Sequence, residues 1–235
     1  MASAGVEWIN NFPAPCTQNT LSYCDDTSVG FLNGMVSRGH TPTFNWGNQN
    51  AFETDFRDTS LGGDDGNWVD AVDFAHFSSH GGTDSSNIFK GYFGGKNASC
   101  TWRSDKARFG NNFNLEYLII DACNSLELTR DIIAVWHNTF QRLHMIFAFT
   151  DLVSDSWWTG GRGYNFGRRA GNNEKLTNAW LDESYSFWAD DNPVTMAAGR
   201  SEADAKNRRD NERLNSGFDD IPHNQIAYYA WKWRS

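Results

Sequence analysis

Apolar positions fall in two rhythms along this chain. "LEYLIIDA" (Leu115 to Ala122) and "HMIFAFT" (His144 to Thr150) are unbroken apolar runs of strand length, suited to strands covered on both faces. "WVDAVDFAHFSS" has the apolar content of another strand. "GVEWINNF", "NPVTMAAG" and "QIAYYAWKWR" read as further strands, and "TPTFNWG" as a weak strand or a loop. Between them the spacing turns helical. "DDTSVGFLNGMVSRGH" puts Phe31, Leu32 and Met35 on one face, with Asp26 or Thr27 as N-cap and Gly39 as the stop. "LTRDIIAVWHNTFQRL" aligns Ile132, Ile133, Trp136 and Phe140, and "LTNAWLDESYSFWADD" aligns Trp180, Leu181, Tyr185 and Trp188. "SEADAKNRRDNERL" is a polar helix that Ser201 can cap. Two stretches lack either rhythm: the Gly/Asp-rich "DTSLGGDDGNW" and "SDSWWTGGRGYNFG", which reads as a mobile loop after the "HMIFAFT" strand.

Strands alternating with helices predict an α/β fold, a mainly parallel sheet with helices on both faces. With no low-complexity linker or internal repeat, residues 1–235 read as a single domain. In such sheets ligands sit beyond the carboxyl ends of the strands. His80 in "AHFSSHGG" and Cys123 in "LEYLIIDACNS" both lie just past such an end. A cysteine nucleophile needs a base to form its thiolate, and an imidazole can supply it and later protonate the leaving group. Gly81 and Gly82 let backbone approach a substrate carbonyl, so the N–H groups of Gly81 and Cys123 are candidate oxyanion donors. Asp121 shares a strand face with Cys123 and either orients His80, anchors a substrate cation or serves as a structural partner. Ser125 is a further candidate substrate contact. Trp157 and Trp158 either wall the cleft or pack beneath their loop.

"SSHGG" and "DACNS" resemble the caspase-like cysteine peptidases at His80, Gly81, Ala122 and Cys123. His80 and Cys123 stand 43 residues apart, near the interval of about 50 in caspases. The resemblance implies a caspase-like three-layer sandwich and a Cys-His dyad acting on an amide or ester, as a hydrolase or acyl transferase without a cofactor. Asn124 and Ser125 replace the residues that follow the caspase cysteine, so the resemblance carries no specificity. Through "GVEWINNF", "FETDFRD" and "VDFAHFSSHGG" the wider chain also resembles a bacterial family of unknown function. The rival reading keeps the scaffold without peptidase chemistry, with an aromatic cleft that binds or cyclises a small apolar molecule, as in natural-product assembly.

Eleven Trp and seventeen Phe supply aromatic mass for a core, a cleft or both. A net charge of −9, and basic residues interleaved with acids even in "AKNRRDNER", argue against nucleic acid. No stretch approaches the roughly 18 apolar residues of a membrane span, and "MASAGVEWINNF" lacks signal-peptide features, so a cytoplasmic protein is expected, with a peptide or small-molecule substrate. Cys16 and Cys24 are close enough to pair in an oxidising compartment, and equally can be free thiols. "NAS" (Asn97 to Ser99) fits the glycosylation pattern. The aspartates between Asp55 and Asp73 do not follow a calcium-loop spacing and read as a solvated loop. His76 and His80, about 13 Å apart on an extended strand, cannot share a metal. His40, His137, His144 and His223 lack companions at zinc spacing, so no metal is expected. Neither Gly-rich stretch has a nucleotide-binding form.

Overall fold

Tyr117–Asp121 (β7) and Met145–Phe149 (β8), the cores of the two unbroken apolar runs, are neighbouring parallel strands with every residue buried. The computed structural model of the chain describes residues 1–95, 99–111, 114–189 and 191–235. In these, β7 and β8 lie inside a seven-stranded sheet with β1 (Ser3–Trp8), β2 (Thr41–Gly47), β3 (Phe74–Ser78), β9 (Pro193–Gly199) and β10 (Tyr228–Trp233). The order is β2-β1-β3-β7-β8-β9-β10; the first five strands are parallel and β9 runs against both neighbours.

Alternation along the strands divides the core. Val6, Phe74, Tyr117, Ile119, Met145 and Phe147 point to one face, beneath α1 (Cys24–Val36), α3 (Arg162–Gly171) and α4 (Leu176–Ser184). Phe77, Leu118, Ile120 and Ile146 point to the other. That face is covered by α2 (Arg130–His137) and by a second, antiparallel sheet of β4 (Gly81–Thr83), β5 (Phe89–Tyr92) and β6 (Thr101–Arg103). The result is a three-layer α/β sandwich. Trp102, Trp136 and Trp180 are fully buried in it. Each removes on the order of 200 Å² of ring surface from water, worth about 5 kcal/mol at 25 cal/mol per Å². The last helix, α5 (Glu202–Asn211), is capped by Ser201, which accepts the Asp204 N–H as expected.

Several expectations are corrected. Helix α1 starts at Cys24, so Asp26 and Thr27 lie inside it; Tyr23 holds the cap position without a side-chain bond. Asp155, from the loop after β8, accepts the N–H groups of Ser22 and Tyr23 and fixes the helix entry from a distance. Trp188 is not on the face of Trp180: α4 ends at Ser184, Tyr185 is extended, and Trp188 is 94% exposed. Of the two readings of "TPTFNWG", the strand holds: it is the edge strand β2, whose register against β1 shifts at Thr43.

Of the Gly-rich stretch expected to be a loop, residues 154–161 are non-helical, while Arg162 to Gly167 begin α3. Its glycines are small because α3 lies directly on α1. A Cβ built on Gly163 would fall 1.8 Å from the Thr27 carbonyl oxygen, and one on Gly167 would fall 2.3 Å from that of Phe31. Gly34 of α1 makes the reciprocal approach to the Tyr164 carbonyl.

The Asp-rich segment is not a solvated loop. Asp58 and Asp65 are buried, accepting from Ser60, Thr59 and Gly66 and bracing short 3-10 turns, while Asp70 accepts the Gly110 N–H. Burial pushes the Asp65 carboxyl up to about 6 and that of Asp70 to about 8.

The cysteine expectation is overturned as well. Cys16 is bridged to Cys100, 84 residues away, and Cys24 is a buried free thiol. The bridge ties the β1–α1 loop to the segment before β6. Of the "NAS" triplet, Asn97 and Ala98 lie outside the described residues.

Candidate functional site

The register of β3 against β7 pairs Ser78 with Asp121. Two residues further along each exit come His80 and Cys123, so the two leave the sheet side by side. Both line a crevice of about 100 Å³ at the carboxyl ends of the strands. Its other walls come from the β1–α1 loop (Leu21, Tyr23), the start of α1 (Cys24, Thr27) and the β8–α3 loop (Val153, Ser154, Asp155, Thr159), with Arg162 at the start of α3. This is where a parallel sheet reverses its winding and places its ligands: β2 and β3 flank β1 on opposite sides.

His80 is positioned by residues remote in sequence. Its Nε2 lies 2.8 Å from the Asn19 carbonyl, and its ring sits 5.2 Å from that of Phe12. A carbonyl only accepts, so Nε2 carries the proton and Nδ1 is left as the basic nitrogen.

The Cys123 sulfur accepts the Val153 N–H at 3.3 Å and faces the Val153 carbonyl at 3.8 Å. Burial pushes its thiol up; the Val153 N–H opposes this, and the Asp121 and Asp191 charges reinforce it. No hydrogen bond joins His80 to Cys123 among the described residues. The sulfur is therefore a resting thiol and not an ion-paired thiolate.

Gly81 seals the junction between the two exits. A Cβ there would fall 2.7 Å from the Ala122 Cβ and 2.8 Å from the Cys123 carbonyl oxygen. Tyr92 donates to the His80 carbonyl while β4 and β5 pair Gly81 with Gly91, so the N–H of Gly81 points off that ladder.

Beneath the crevice Arg162 is buried between two carboxylates. Its Nη1 bonds Asp191 Oδ2 at 3.0 Å, and its Nε lies 3.2 Å from Asp121 Oδ2 without hydrogen-bond alignment. Nη2 donates to the Ser154 carbonyl. Burial, partly offset by Arg162, pushes the Asp121 carboxyl up to about 6.

Of the residues singled out in the sequence, His80, Asp121 and Cys123 meet in the crevice, and Gly81 abuts it. Asp121 faces Arg162 and lines the crevice. Ser125 is fully buried: its hydroxyl donates to the Ile120 carbonyl at 3.2 Å, with the Phe149 carbonyl further off at 3.4 Å, and accepts the Phe149 N–H, clamping β7 to β8. Trp157 and Trp158 stack on each other 3.6 Å apart, largely exposed, and do not line the crevice. Tyr23 is its only lining Phe, Tyr or Trp among the described residues.

His76 is a core histidine under α1. Its Nδ1 bonds the Ser28 hydroxyl at 3.0 Å, and burial pushes its pKa down to about 3. Asn19, Phe12, Val153 and Arg162 were not singled out in the sequence, because each reaches the site from a loop or helix start without a motif of its own. No described helix is long and apolar enough to cross a membrane.

Residues 6–235 match the family described as a domain of unknown function, DUF6345. No curated protein matches the chain.

Proposed function

The chain belongs to the DUF6345 family, and we propose that it is a cysteine-dependent hydrolase or acyl transferase acting on an amide or ester. One observation carries this reading: the strand register puts His80 and Cys123 at neighbouring exits of one crevice. The likeness of "SSHGG" and "DACNS" to caspase-like peptidases supports the same assignment.

In this scheme His80 Nδ1 takes the Cys123 proton as the sulfur attacks the acyl carbonyl. The N–H groups of Gly81 and Cys123 receive the oxyanion. The tetrahedral intermediate collapses to a thioester as His80 returns the proton to the leaving amine or alcohol, and water or an amine then resolves it. Because burial keeps the resting sulfur a thiol, proton transfer accompanies attack. A crevice of about 100 Å³ admits one small side chain or acyl group beside the sulfur. The disulfide Cys16–Cys100 supports an oxidising compartment for the protein in place of the expected cytoplasm.

The test is turnover of a panel of small peptide amides and alkyl esters followed by product mass. Hydrolysis or transfer lost at least a hundredfold in Cys123→Ala supports the reading, and turnover that survives the substitution refutes it.

A second reading attaches elsewhere. Trp46, Phe52 and Trp68, together with Asp55 and Asp64, border a separate cavity of about 530 Å³ beside β2, which favours binding of a small, partly apolar molecule there and not at Cys123. Ligand binding that is lost in Trp46→Ala but kept in Cys123→Ala would distinguish it.

A further inference from the structure

At the end of the sheet opposite the crevice, three ligand-type side chains converge. Glu116 stands just before β7, His144 just before β8, and Asp220 between α5 and β10; one donor atom of each lies within 4.8 Å of the others. His144 is buried, and its orientation is set from outside the group. Tyr117 donates its hydroxyl to Glu212 Oε1 at 2.9 Å, and the same oxygen meets His144 Nδ1. A carboxylate oxygen that takes the tyrosine proton accepts from the imidazole too, so Nδ1 carries the hydrogen. Nε2 is then turned to the group, 3.2 Å from Asp220 Oδ1. A buried carboxylate holding the far nitrogen is the support that metal-ligating histidines have.

Charge points the same way. Glu116, Asp220 and Glu212 stand around one imidazole, with Asp73 bordering the same cavity as Glu116, and the cations facing them are Arg208, 3.5 Å from Glu212 Oε2, and Arg142 beside Asp220 on the cavity wall. A cavity of about 50 Å³ bordered by Asp73, Glu116, Arg142 and Asp220 opens beside the group.

We propose that Glu116, His144 Nε2 and Asp220 bind a divalent transition-metal ion of the Zn²⁺ or Mn²⁺ class, with Glu212 orienting the histidine from behind. One imidazole with two carboxylates suits such a borderline cation, and water completes its coordination. The ion ties the starts of β7 and β8 to the α5–β10 segment. It lies a strand length, roughly 16 Å, from the crevice, so its role is to staple the fold. Glu116, His144 and Asp220 are too far apart in sequence to form a local zinc motif, which is why spacing predicts none.

The test is calorimetric titration of the EDTA-stripped full chain with Zn²⁺, and separately Mn²⁺, together with Tm. The expected result is one equivalent bound and a higher Tm. Asp220→Asn and Glu116→Gln should each weaken Kd at least tenfold; Asp220 is half exposed, so its variant should keep the metal-free Tm. Binding undiminished in both variants would assign the ion elsewhere, such as the His137–His223 pair with ring centroids 4.4 Å apart or the Cys123 thiol, and overturns the proposal. No binding of either metal overturns it too, leaving His144 as an imidazolium clamped by Glu212 and Asp220.

Discussion

Replacing Gly163 by alanine tests the contact that sets the start of α3, and with it Arg162 beneath the crevice. Helix propensity alone favours the substitution by about 1 kcal/mol. Packing opposes it. The new Cβ would fall 1.8 Å from the Thr27 carbonyl oxygen and 2.8 Å from its carbon, both backbone atoms of α1. A methyl group needs well over 3 Å, so the helices must part by more than 1 Å. Overpacking of this kind costs about 1–3 kcal/mol and more where backbone must move. Adding the loss at the buried Arg162 contacts gives a net destabilisation of about 2–3 kcal/mol, or a Tm lower by about 4–12 °C for a chain of this size. Gly161→Ala is the control, since no atom lies within 4 Å of its Cβ position, and it should leave the midpoint nearly unchanged. Urea denaturation followed by tryptophan fluorescence measures both variants. A Gly163→Ala protein as stable as its parent would refute the backbone-to-backbone packing of α1 on α3.

Other outcomes follow from buried charge and cross-links. Arg162→Met should cost about 3–5 kcal/mol, because it withdraws the guanidinium lying between Asp121 and Asp191; denaturation midpoints check it. Asp121, raised to about 6, and Asp70, raised to about 8, hold protons in the folded state at pH values where the unfolded chain has released them. Stability should therefore fall as pH rises from about 5 to 8, by up to roughly 1.4 kcal/mol per pH unit for each proton held. His76, lowered to about 3, gives an opposing loss below pH 6.5. Denaturation at pH 5.5, 6.5 and 8 reads the slope, and Asp70→Asn should flatten it above pH 6. Reducing Cys16–Cys100 opens a loop of 84 residues and should cost about 2–4 kcal/mol, seen as a lower Tm with dithiothreitol and in Cys100→Ser.

The fold was legible where burial pattern and element length agree. β7 and β8 are continuous apolar runs because both faces of the sheet are covered, and α2 shows its buried Ile132 and Trp136 at helical spacing. The second sheet was hidden because its strands span three or four residues and include Gly81, Gly82 and Gly91. Helix α3 was misread because glycine at i and i+4 breaks an isolated helix yet permits close packing between two, and Gly163 and Gly167 serve the second use. His80 and Cys123 could be found because a strand exit is a local sequence feature. Asn19, which fixes the imidazole tautomer, and Arg162, which neutralises the crevice floor, arrive through tertiary structure alone. The Cys16–Cys100 pairing depends in the same way on where loops meet.

The central claim is that His80 activates Cys123, and the rate at which p-nitrophenyl acetate acylates Cys123 tests it most directly. Intact mass and peptide mapping would follow the thioester in the parent and in His80→Ala. The account predicts acylation at Cys123 ahead of Cys24 and of surface lysines, and slower by a hundredfold or more without His80. Acylation of Cys123 at the same rate in both proteins, or none at Cys123, would contradict it.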